Sequence, residues 1–183
     1  MDVFEAINFL TLLPSLILSM AIVTGLFYGI QFLFGMRSYG SSQARGQGIT
    51  TKELIGTMLG MVVMIQFPTF IQDSVLTMTG SALEPVNPLS WGAIGKTDQS
   101  ETLMATLLYR FFQVFGMVTL FSFGTTLPKL NDPQQRGQIT WGSLCAKFVA
   151  GVMLFMPSET SQAIGVIFPL VGAFGEWMSQ NRL

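Results

Sequence analysis

The stretch that decides the fold is Ala6-INFLTLLPSLILSMAIVTGLFYGIQFLFG-Met36, 31 residues without one charge. About 20 mainly apolar residues suffice to cross a bilayer as a helix. This run exceeds that need, so it reads either as one long tilted helix or as a short interfacial helix followed by a span. Pro14 is the candidate break, because proline removes a backbone donor. A cleaved signal peptide is the rival reading. It is rejected because Asp2 and Glu5 precede the run where a signal peptide carries basic residues, and because the apolar core is too long.

The rest of the 183-residue chain agrees. Only 19 residues are charged, 10% against roughly 25% in an average soluble domain. Hydrophobic residues make up 50%, and the mean hydropathy is +0.53. Further apolar runs follow at Leu54–Gln72, Thr102–Leu127 and Ile139–Pro157, the last two holding Arg110 and Lys147. Thr160–Gly175 is 16 uncharged residues containing Pro169. Its length suits an interfacial or re-entrant helix, with a fifth span as the alternative. The expected fold is therefore an all-α membrane protein of two tandem transmembrane hairpins, about four spans, plus that C-terminal helix. The expected divisions are a first hairpin at 1–80, an outer linker at 81–101, a second hairpin at 102–158 and an apolar tail at 159–183.

Charge placement predicts orientation. Arg37, Arg45 and Lys52 share one loop, and Lys129 and Arg136 share another. Cationic loops stay cytoplasmic. Eight of the ten acids fall on the other side: Asp2, Glu5, Asp73, Glu84, Asp98, Glu101, Glu159 and Glu176. Both termini are then expected outside, which is periplasmic for a bacterial inner-membrane protein.

The two basic loops resemble each other. Ala44-Arg45-Gly46-Gln47-Gly48-Ile49-Thr50 is matched by Gln135-Arg136-Gly137-Gln138-Ile139-Thr140, with Gly48 as a one-residue insertion. Beyond the insertion the offset is 90: Leu54 falls on Leu144, and Gly56 and Gly60 fall on Ala146 and Ala150. Before it the offset is 91, placing Gly25 on Gly116 and Phe32 on Phe123. A fixed offset is the mark of an internal repeat. Because both basic loops share a side, the repeat is parallel, unlike the inverted repeats of many transporters.

Small residues one turn apart let helices approach closely in lipid. Gly25 and Gly29, Gly56 and Gly60, and Ala146 and Ala150 are such pairs, open to packing within one chain or between subunits. Arg110 and Lys147 carry charge inside apolar runs, where it faces protein, water or the interface. Snorkelling accounts for both. The competing reading of Arg110 is a polar contact within an assembly or along a pore.

Several chemistries are excluded or disfavoured. With no His and a single Cys, Cys145, imidazole catalysis, intramolecular disulfides and cysteine zinc sites fall away. A serine nucleophile needs a base. Ser143 and Lys147, four apart on one helix face, are the only pair worth naming, and no oxyanion motif accompanies them. The Gly40-Ser41-Ser42-Gln43 loop lacks the Walker pattern. Twelve Met and sixteen Phe suit irregular helix packing. The expectation is a non-enzyme without metal or cofactor. Nine dispersed cations and a net charge of −1 predict no direct nucleic-acid binding.

Tyr28-Gly29-Ile30 through Gly35-Met36-Arg37-Ser38-Tyr39-Gly40-Ser41-Ser42, then Thr51-Lys52-Glu53-Leu54-Ile55-Gly56, make a long apolar span, a short cationic loop and a glycine-containing span. This pattern resembles the small multi-spanning inner-membrane subunits of type IVB secretion and I-type conjugative transfer systems, the IcmC/DotE, IcmD/DotP, DotV and TraQ group. The resemblance covers about half the chain and is one of architecture and loop style. It implies a non-enzymatic component of an envelope-spanning apparatus for protein or DNA–protein transport. The expected partners are membrane lipid, further copies of the chain and other membrane subunits. The alternative is a small oligomeric channel or transporter acting without a secretion machine.

Overall fold

The computed structural model describes residues 3–42, 51–79, 100–131 and 139–181. Every regular element among them is helical: α1 (Val3–Ser42), α2 (Thr51–Ile65), α3 (Phe67–Thr79), α4 (Ser100–Thr126), a 3-10 turn (Pro128–Asn131), α5 (Trp141–Phe155), α6 (Pro157–Gly165) and α7 (Pro169–Asn181).

The decisive stretch is one helix. α1 runs through Pro14, which is buried, so the interfacial break considered there does not occur. Its hydroxyl residues are turned back on the helix. Thr11 donates to the Asn8 carbonyl at 2.7 Å, Ser15 to Leu12 at 2.7 Å, Ser19 to Ser15 at 2.9 Å and Thr24 to Met20 at 2.7 Å. A hydroxyl satisfied this way does not need water, which suits a helix in hydrocarbon. α1 and α4 are each long and apolar enough to cross a membrane.

The apolar runs expected as spans at Leu54–Gln72 and Ile139–Pro157 belong to two bent helix pairs. α2 and α3 meet at 90°, and α5 and α6 at 102°. Proline explains both bends. Pro68 has no N–H for the Met64 carbonyl, and its ring crowds that carbonyl. The ladder runs up to it, with Gln66 donating to Val62 at 3.0 Å, and resumes beyond it, with Phe70 donating to Gln66 at 2.8 Å. Pro157 pushes the residue before it out of the helical region. Met156 accordingly sits at φ −120° and ψ 70°, the C-cap of α5 and the N-cap of α6. The chain thus has two to four candidate spans, depending on whether each bent pair counts as one.

The stretch Thr160–Gly175, for which a fifth span was the alternative to an interfacial or re-entrant helix, is not one continuous helix. α6 and α7 form a tight hairpin, with Gly165 against Gly172 and Gly175 against Ser158 and Ser161. α6 also runs through residues 158 and 159, so the tail continues the second hairpin without a break. Most of the linker at 81–101 lies outside the described residues.

The repeat has a structural counterpart. α2 and α5 begin and end 90 residues apart. A methyl group on Gly25 would lie 2.9 Å from the backbone nitrogen of Ile65, and one on Gly116 would lie 2.6 Å from that of Phe155. Gly116 corresponds to Gly25 at offset 91, and Phe155 corresponds to Ile65 at offset 90. Both hairpins therefore cross at the same register and place a glycine at the same backbone contact.

The core lies where the halves meet. Ile17, Leu18 and Ala21 of α1, Met64 of α2, Phe67, Ile71 and Val75 of α3, Met117 and Leu120 of α4 and Val152 and Phe155 of α5 are buried together. Phe70, Phe123 and Phe148 join α3, α4 and α5 through ring contacts of 5.5–5.9 Å. Outside this core, large apolar side chains face outward along the full length of α1, among them Leu12, Val23, Leu33 and Phe34 at 66–67% exposed. Soluble monomers do not leave so long an apolar stripe open to water. In lipid it costs nothing, and the chain is a membrane protein on this ground.

Candidate functional site

The small-residue pairs separate into two groups. Gly25 and Gly29 face Ile65, Met64 and Met61 of α2. Gly60 faces Pro128 of the 3-10 turn and Tyr28 of α1, and Gly56 is buried. The glycine pairs of the first half thus pack within the chain. Ala146 and Ala150 are exposed on α5, beside exposed Cys145, Val149 and Met153. The face that Pro128 covers on α2 is uncovered at the matching positions of α5.

The two cations inside the apolar runs are held differently. Lys147 reaches from α5 to α4, donating to Ser122 Oγ at 3.3 Å and Thr126 Oγ1 at 3.1 Å. Its ammonium is partly buried against hydroxyls near the end of α4. Arg110 Nη1 donates to Gln113 Oε1 at 3.1 Å, one turn along the same helix, and Gln113 is buried. A buried amide gives the guanidinium a local polar contact, which lowers the penalty of an intramembrane charge.

Ser143 and Lys147 are not brought together as a nucleophile and base. The Ser143 hydroxyl belongs to a capping box with Thr140, accepting from the Thr140 N–H at 3.2 Å and donating to the Thr140 carbonyl at 2.8 Å. A hydroxyl held in a helix cap is fixed structurally. Its neighbour Lys147 points to α4 instead. Among the described residues, no group of three or more His, Cys, Asp and Glu is placed to hold a metal ion.

Of the loop cations, Arg37, Lys52 and Lys129 are exposed, and Arg45 and Arg136 lie outside the described residues. Lys129 sits on the 3-10 turn, which packs onto α2 through Pro128 against Gly60. Tyr28 ties the same junction, donating to the Thr125 carbonyl of α4 at 3.2 Å. Above this junction α1, α2 and the turn enclose a lateral groove of about 770 Å³, bordered by Glu53 and Lys129.

The groove and the Ser122 and Thr126 partners of Lys147 were not evident from sequence. Ser122 and Thr126 precede Lys147 by 25 and 21 residues, across the second basic loop, and only the antiparallel crossing of α4 and α5 brings them together. The repeat offset fixes that crossing and was the available signal. Compared with known proteins, the chain matches no family model, no curated protein and no solved structure.

Proposed function

We propose that the protein is a structural inner-membrane component of a bacterial type IVB secretion or conjugative DNA-transfer apparatus, acting through helix–helix assembly. The resemblance of the first hairpin to small subunits of those systems supports the apparatus. The observation that supports assembly is the unequal covering of the two halves. Gly60 is closed off by Pro128 from the second half, whereas its counterpart Ala150 is open, as is Ala146. A repeat whose internal contact is satisfied on one side only offers the other side to a neighbour. Such head-to-tail contacts build rings or filaments, and small residues at the open face allow the close approach that membrane association requires.

The test uses the tagged full chain purified from membranes in mild detergent. It is expected as an oligomer, together with other membrane subunits of the apparatus. Ala150→Leu, on an exposed face, is expected to keep the helical content and lose the oligomer. A wild-type chain that runs as a monodisperse monomer and still supports transfer would overturn the proposal.

A further inference from the structure

We propose that the turn between α6 and α7 is a lipid-inserting wedge: Val166, Ile167, Phe168 and Leu170 enter the leaflet at the C-terminal end of α5 and hold the hairpin against the membrane. The lipid contact is thereby assigned to one five-residue turn and not to the whole apolar stretch around it. The inference needs α5 to cross the bilayer and does not depend on the apparatus to which the chain belongs.

The turn has no interior. Gly165 and Gly172 bring the two backbones together, and a methyl group on Gly172 would lie 2.9 Å from the Gly165 Cα. Side chains beyond that crossing have no facing helix to pack on. Val166 is accordingly 87% exposed, Ile167 75%, Phe168 60% and Leu170 86%. The backbone of the turn is largely bonded within itself. Ile167 and Phe168 donate to the Ile164 carbonyl at 2.9 Å and 3.0 Å, and Val171 and Gly172 to the Phe168 carbonyl at 2.9 Å and 3.3 Å. Pro169 has no N–H to satisfy. A turn with apolar side chains and internally bonded amides gives up few water hydrogen bonds on entering lipid.

Two further features point to lipid as the occupant. The hairpin is apolar only at this end. Behind the turn lie Glu159, Thr160 and Gln162 on α6 and Glu176, Ser179 and Gln180 on α7. Between the apolar turn and the polar end of α7, Trp177 stacks on Phe174 at 6.0 Å. An amphipathic indole in that position matches the aromatic belt of a membrane interface. The direction of the hairpin agrees. α6 leaves α5 at a bend of 102°, past the perpendicular. With α5 across the bilayer, the hairpin therefore runs sideways over the neighbouring lipid and slopes back toward it. Its nine-residue first arm reaches about 14 Å, and the turn comes down at the boundary of headgroups and acyl chains, where interfacial elements bury their apolar side.

The test uses the full chain on a Cys145→Ala background in liposomes of phosphatidylcholine and phosphatidylglycerol, with a nitroxide attached at Phe168→Cys or at Gln180→Cys. Both positions are exposed, so the label leaves the packing as it is. Collision of the nitroxide with oxygen, which concentrates in hydrocarbon, is compared with collision with a water-soluble nickel chelate. The oxygen-to-nickel ratio is expected to be several-fold higher at position 168 than at position 180. Val166→Asp together with Leu170→Asp is expected to bring the ratio at 168 down to that at 180. Circular dichroism checks that each variant is folded, and if Phe168→Cys does not fold, Ile167→Cys decides. A ratio at 168 no higher than at 180, or one unchanged by the two aspartates, overturns the proposal. So does dipolar broadening between labels at 168 that disappears on dilution with unlabelled chain, which would show a second copy of the chain on the turn. A chain that gives the expected contrast and yet runs as a monomer would fail the assembly reading alone.

Discussion

Gly116 and Gly142 show how far one residue's meaning depends on its neighbours. Both are helical glycines, and intrinsic propensity alone favours alanine at each by about 1 kcal/mol. At Gly142 the nearest atom to an added methyl group is Thr140 Oγ1 at 3.9 Å, so propensity decides. At Gly116 the methyl group meets the Phe155 backbone nitrogen at 2.6 Å and the Gly151 carbonyl oxygen at 2.8 Å, and backbone does not step aside as a flexible side chain does. Overpacking of this kind costs about 1–3 kcal/mol. Gly116→Ala is expected to lower the thermal midpoint in detergent by several degrees, while Gly142→Ala leaves it unchanged or raises it. An equal effect of the two would show that the hairpin does not close on Gly116. The same scale explains why Lys147 was only half legible. Its position inside an apolar run was plain, but its partners belong to another helix.

At the scale of the element, α3 is the test case. Phe67, Ile71 and Val75 recur four apart and are buried, whereas Asp73 and Thr77 are exposed. That spacing marks a helix lying on a core with one wet or interfacial side. Phe67→Ala is expected to destabilise the chain by about 3–5 kcal/mol, read as a lowered midpoint in denaturing-detergent titration. Loss of less than 1 kcal/mol would mean that α3 is not docked. The lengths of α1 and α4 were readable because unbroken apolar runs leave few alternatives. The limits of α2 and α5 were readable through the repeat offset. The bends were not, because Pro68 and Pro157 mark helix ends and sharp turns equally well in sequence. Only the docking of α3 and the folding of α6 back onto α7 choose between them. The lateral groove was hidden for a related reason, since it depends on the 3-10 turn capping Gly60 and on no periodic pattern.

For the whole molecule, the placement of charge supports the proposed topology. Arg37 and Lys52 flank the first basic loop, and Glu176 and Ser179 lie on α7 at the other end of the chain. The proposed orientation puts the first pair in the cytoplasm and the second pair outside. On a Cys145→Ala background, a cysteine at Arg37 is expected to react with a membrane-impermeant maleimide only after the cytoplasmic side is opened. A cysteine at Ser179 is expected to react in intact spheroplasts. The reverse pattern would invert the topology, leaving the helix packing as it is.

α1 has one further property in its length. Forty residues of continuous helix make a rod of about 60 Å, twice the hydrocarbon thickness, with α2 pressed against it at Gly25 and Gly29. A helix this much longer than the hydrocarbon is thick must tilt or project beyond it.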